Sequence, residues 1–148
     1  MNNETRITNW INNNLSELSQ LEDNKGIDIM HHCGAKCCEA SVLYNGACKI
    51  KDQFEHETNT DIIFDAFKKA YYDSDNFRKD KDVIILIFEK CTCPMAKQGV
   101  DNPFLCNCTV GYSYKIFETL FQKKVKVDLE TSILNGQTVC KQRIEILS

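Results

Sequence analysis

Two Cys-x-Cys pairs bracket one stretch of this chain: Cys91-Thr92-Cys93-Pro94 opens it and Cys106-Asn107-Cys108 closes it. Four thiols in so short a span carry soft-donor chemistry, either ligation of a thiophilic metal or thiol redox. In an extended strand, residues two apart share a face but stand ~6–7 Å from each other, too wide for two thiolates on one tetrahedral zinc. At least one cysteine of each pair must therefore leave strand geometry, and Pro94 provides a place to do so. Cys106 and Cys108 are expected immediately before a helix, whose free N–H groups would stabilise anionic sulfur. A metal joining the two pairs would also pin the dozen residues between them, a length of loop that needs a reason.

A second group, His31-His32-Cys33-Gly34-Ala35-Lys36-Cys37-Cys38, falls in a segment with helical character. Cys33 and Cys37 then share one helix face at i, i+4, where they would serve as paired ligands or supply a nucleophilic thiol. Gly34 inside a helix costs ~1 kcal/mol against Ala, so its presence predicts close approach of another backbone or of a ligand. His31, His32 and Cys48 are possible additional ligands, though both histidines are better read as exposed residues on a core helix. His56 among Glu55, Glu57 and Asp61 coincides with a helix start, where acids are ordinary. There is no Gly-rich phosphate loop, nucleophile elbow or His-Glu-x-x-His motif.

The elements that must position these groups follow from periodicity. Ile11, Leu15, Leu18 and Leu21 recur at helical spacing, predicting a helix over residues 4–22. A second helix is expected over residues 27–44, stopped by Asn45-Gly46. Thr58 and Asp61 form a capping box for a third, with Ile62, Ile63, Ala66, Phe67 and Ala70 as its buried stripe. The alternating charges of residues 78–82 read as a solvated turn, and the β-branched run 83–88 as a strand covered on both faces. A fourth, deeply buried helix starts near Thr109 and carries Tyr112, Ile116, Phe117, Leu120 and Phe121.

Two alternating runs about Asn135-Gly136 predict a C-terminal hairpin with a type I′ turn. Its register sets Val125 against Ile146, Val127 against Ile144 and Thr131 against Cys140. The other face pairs Lys126 with Glu145, Asp128 with Arg143 and Glu130 with Lys141. Cys140 then looks inward. The expected fold is α+β, with N-terminal helices packed on a mainly antiparallel sheet that ends in the hairpin. A single domain spans 1–148, helical over about 4–72, with the sheet, Cys-rich loop and hairpin over about 83–147.

With 148 residues, 43% hydrophobic and 26% charged, the composition is that of one globular domain. A formal charge of −3 lacks the basic footprint of a nucleic-acid binder. The longest aliphatic run falls far short of the ~20 residues that span a bilayer, so no membrane partner is expected. The polar start does not read as a signal peptide, which points to the cytoplasm, where nine cysteines favour metal or redox chemistry over structural disulfides.

Residues 106–112 (Cys-Asn-Cys-Thr-Val-Gly-Tyr), Phe117 to Phe121, Val125-Lys126-Val127, Gly136 and Cys140 to Ile144 together resemble the 4-vinyl reductase domain family. That family starts on Cys-x₄-Gly-Tyr, enters a helix and closes on a hairpin ending Gly-x₃-Cys. It is related in fold to haem-based nitric-oxide-binding domains and to a vesicle-tethering subunit. The resemblance covers about the last 45 residues of the chain. It implies a small-molecule-binding module, often a homodimer, with a structural zinc in some members. Cys106 and Cys140 match two zinc-ligand positions, while Leu129 and Ser132 occupy the other two. Cys91, Cys93 or Cys108 would have to complete the set. Cys33-Gly34-Ala35-Lys36-Cys37 with Cys91-Thr92-Cys93-Pro94 is similar to an uncharacterised Cys-rich bacterial branch near aminothiazoline carboxylate hydrolases.

The leading expectation is a cytoplasmic small-ligand-binding or sensing module. It would hold zinc, with iron the other candidate, on Cys91, Cys93, Cys106, Cys108 and Cys140. Its pocket would lie between helices and sheet near Cys33 and Cys37. The alternatives are a thiol-dependent small hydrolase using Cys33 or Cys37, and a structural domain whose thiols pack.

Overall fold

The structure is a computed structural model, and it describes residues 2–148. Four helices come first: α1 (Asn3–Ser19), α2 (Lys25–Glu39), α3 (Val42–Gln53) and α4 (Thr60–Tyr71). Strands β1 (Phe77–Asp80) and β2 (Val83–Phe88) follow, then the short helix α5 (Pro94–Lys97) and a 3₁₀ turn, Pro103–Leu105. Helix α6 (Cys106–Phe121) leads into β3 (Val125–Thr131), a 3₁₀ turn at Ile133–Asn135, and β4 (Cys140–Ile146). The strands form one antiparallel sheet in the order β1-β2-β4-β3. The fold is therefore α+β, with helices on a mainly antiparallel sheet that ends in a hairpin-like pair.

The expected helix over 27–44 is two helices. Ser41 adopts extended geometry and its Oγ accepts the Tyr44 N–H at 3.1 Å, so α3 starts anew. Asn45 and Gly46 thus lie inside α3 and stop nothing. Gly46 is there for space, since a Cβ would meet the Tyr71 ring at 2.7 Å. Helix α4 is capped by Asn59, whose side chain accepts the Asp61 N–H, in place of the Thr58–Asp61 box. It buries Ile63, Phe64 and Phe67 and leaves Ile62 and Ala70 exposed.

Residues 78–82 are not simply a turn. Phe77–Asp80 is the edge strand β1, turning at Lys81 with φ +55°. Fully buried Phe77 anchors it, its ring tilted against those of Phe64 and Phe117 with centroids 4.6 Å and 6.0 Å away. The Lys79 ammonium, almost wholly buried, pairs with Asp61 and so joins β1 to α4. Strand β2 buries only Ile84 and Leu86; its other face is half-buried, in place of the expected cover on both sides.

The hairpin keeps the predicted register from Val125↔Ile146 to Asp128↔Arg143. A bulge between Leu129 and Thr131 then sets Thr131 against Lys141, so Cys140 pairs with Phe88 and not with Thr131. Of the three predicted cross-strand charge pairs only Glu130–Lys141 forms, at 3.3 Å. Lys126 reaches Asp128 and Arg143 reaches Glu145, each along its own strand. Nor is the connection a two-residue type I′ turn. It runs through the 3₁₀ turn to Gly136 at φ +88°, where a side chain would have room but a strained backbone.

Two apolar clusters result. The larger fills the space between α3, α4, α6 and the sheet, centred on Phe77, Ile84, Leu120 and Ile144. The smaller, Leu15, Met30, Val100 and Leu105, ties α1 and α2 to the Cys-rich segment.

Candidate functional site: a thiol neighbourhood around the start of α6

Helices α2 and α6 touch backbone to backbone. A Cβ at Gly34 would sit 1.8 Å from the Cys108 carbonyl oxygen, and one at Gly111 would sit 2.1 Å from the His31 carbonyl oxygen. Close approach of another backbone is thus what Gly34 is for, and it brings Cys33 and Cys37 to the flank of Cys108. The segment 94–105 is held from the other side. Pro94 opens α5 with Cys93 as its N-cap, and Cys93 and Cys108 both pack against the Leu15–Met30–Val100–Leu105 cluster. The expected structureless loop therefore contains a helical turn, a 3₁₀ turn and two core residues.

Helix α6 starts at Cys106, earlier than expected, so Cys106 and Cys108 lie within its first turn and not before it. Successive helical residues turn by ~100°, which puts i and i+2 on nearly opposite faces. Cys106 accordingly faces the hairpin: its Sγ lies 2.9 Å from Ser132 Oγ, while the Ile133 amide donates to Cys140 Sγ over 3.3 Å. Cys108 faces α2.

The electrostatics divide the same way. Burial pushes the Cys106 thiol up, partly offset by the Ser132 hydrogen bond and reinforced by Cys140, Cys91 and Cys93. Burial pushes Cys108 up to about 12, with Cys37, Cys93 and Cys33 adding to it. The candidates Cys91, Cys93, Cys106, Cys108 and Cys140 do share one neighbourhood, joined by Cys33 and Cys37 and split into two sets with Cys93 in common. Among the described residues, however, no three His, Cys, Asp or Glu side chains are disposed to hold a metal ion. The helical placement of Cys106 and Cys108 turns the two sulfurs of that pair to different faces of α6.

Cys33 and Cys37 are exposed on α2. Cys38 is fully buried beneath Ser41, and burial raises its thiol to about 11. Cys48 is a neighbour of Tyr44, apart from the other thiols. Half-buried His31 lies tilted against the Tyr114 ring at 5.7 Å, its pKa lowered by burial, and His32 is exposed. His56 is exposed after α3, and Asp61 near it is engaged with Lys79.

The space between the helices and the sheet holds the larger apolar cluster, and Cys33 and Cys37 lie outside it, exposed on α2. An open groove of about 570 Å³ runs along Arg78, Asp80, Val83 and Ile85, and an apolar one of about 310 Å³ lies between Ile7 and Ile11 of α1 and Met95. Buried Ser132 is the site residue that residue types alone did not single out. No described helix is long and apolar enough to cross a membrane.

Comparison with known proteins gives a match over residues 1–148 to the model of a family of unknown function, DUF6144. No curated protein matches the chain.

Proposed function

We propose, for a chain that belongs along its whole length to the family of unknown function DUF6144, a non-catalytic structural role in which the innermost thiols are inert packing groups. The observation that carries this reading is the state of Cys38 and Cys108, raised by burial to about 11 and about 12. The thiolate is the nucleophile, so a thiol that burial keeps protonated is a poor one. Free cysteine also packs as a small hydrophobe. Alkylation at neutral pH with peptide mapping tests this. Cys38 and Cys108 should react only as denaturant opens the fold. A single thiol reacting faster than free cysteine would overturn the reading and put the hydrolase alternative, with Cys33 or Cys37 as nucleophile, first.

A second reading has its own support. Seven thiols gather from α2, the 91–93 segment, α6 and β4, and most are half-exposed, which packing alone does not require. That gathering favours a soft-metal site, zinc first and iron second, in a small-ligand-binding or sensing module, cytoplasmic and homodimeric. The resemblance to 4-vinyl reductase domains, through Cys106 and Cys140, points the same way. Binding would draw the side chains together and release thiol protons. About one zinc or iron per anaerobically purified chain, with loss of stability on chelation, would place this reading ahead of the structural one.

A further inference from the structure

Cys106 is the first residue of α6 and Cys140 the first of β4, and one buried step of chain holds both sulfurs. Ser132, 1% exposed, lies with its Oγ 2.9 Å from Cys106 Sγ, and the adjacent Ile133 N–H donates to Cys140 Sγ over 3.3 Å. The step is fixed from behind: Ser132 N–H donates to Gln137 Oε1 at 2.7 Å and Gln137 N–H to the Ser132 carbonyl at 3.1 Å. Two free thiols are thus held by consecutive residues, one by the Ser132 side chain and one by the Ile133 backbone amide, at the seam between helix layer and sheet. Cys108 is turned away from this seam by its place in α6.

We propose that Cys106 and Cys140 form a reversible oxidation site, closing an intramolecular disulfide at the expense of a low-molecular-weight disulfide such as oxidised glutathione. The Cys140 sulfur, after losing its proton, attacks one sulfur of the small disulfide and releases the first small thiol. The Cys106 sulfur then attacks Cys140 Sγ, forming the Cys106–Cys140 bond and expelling the second small thiol. Two electrons and two protons leave the protein, and two small thiols are produced. The bond replaces the Ser132 contact and staples the start of α6 to β4. Burial raises the Cys106 thiol, which makes it a reluctant leaving group when the bond is reopened. The site goes beyond the structural reading above and needs neither metal nor catalysis.

The experiment equilibrates the full chain in mixtures of reduced and oxidised glutathione, quenches with acid, alkylates and maps peptides by fragmentation. The expected product is about 2 Da lighter, with Cys106 joined to Cys140 and a single reduction midpoint across the series. C108S should keep the cross-link, and C140S should lose it. A wild-type product joined through another pair, or carrying only glutathione adducts, overturns the proposal even if the variants do not fold.

Discussion

Gly34 and Gly111 are the positions where one added carbon meets something that cannot move. Each Cβ would lie about 2 Å from a helix carbonyl of the facing element (1.8 and 2.1 Å). Ala would gain ~1 kcal/mol of helix propensity but force α2 and α6 apart, and overpacking costs typically 1–3 kcal/mol, sometimes more. G34A and G111A should each lose about 2 kcal/mol or more in urea denaturation. G136A, with open space and only a positive φ to strain, should lose about 1 kcal/mol. Cys38 makes a different prediction at the same scale. Its thiol is raised from an ordinary 9.0 to about 11, so between those values the unfolded chain ionises first and stability falls as pH rises. The contribution is whole below pH 9 and lost by about pH 11, on the order of 2–3 kcal/mol at 1.36 per unit. Denaturation at pH 8 and pH 10.5 should show that loss, and C38A should shrink it.

At the scale of elements, local chemistry decided where helices break. Residues 27–44 carry a helical pattern throughout, and what divides them is the extended backbone and hydroxyl cap of Ser41. S41A should cost about 1 kcal/mol by thermal or chemical denaturation, the usual worth of an N-cap. If it proves neutral, the break is imposed by packing on α6 and not by the cap. The hairpin shows the complementary case. Alternation determined its register as far as Asp128↔Arg143, because a one-residue slip would expose every core side chain. The bulge beyond Leu129 and the long connection were not legible, since Asn-Gly is compatible with several loops and the buried Ser132 selects among them. The placement of Cys106 and Cys108 inside α6, and not before it, was hidden for a similar reason. Residues two apart share a face in extended chain, and only the start of α6 at Cys106 turns the two thiols to opposite faces.

Across the whole molecule, the two apolar clusters are unequal. Helix α1 buries only Leu15 and leaves Ile7 and Trp10 exposed at 59% and 68%, whereas α6 buries seven residues. Opening free energies track such burial, so amide exchange should be fast along α1 and slowest in α6 and β4. Uniform protection of α1 and α6 would show that the smaller cluster couples α1 fully to the rest. By itself the sequence determined the α+β class, the β2 boundaries, most of the hairpin register and the crowding of thiols near residue 100. These are set by local periodicity and turn chemistry, which act over a few residues. Tertiary structure alone decided that β1 is a strand, that Gly34 and Gly111 join α2 to α6, and that the seven thiols split into two sets. Those outcomes depend on contacts between distant segments, on Phe77 finding Phe64 and on Ser132 lying between Cys106 and Cys140. No local pattern encodes which partner a buried side chain will meet.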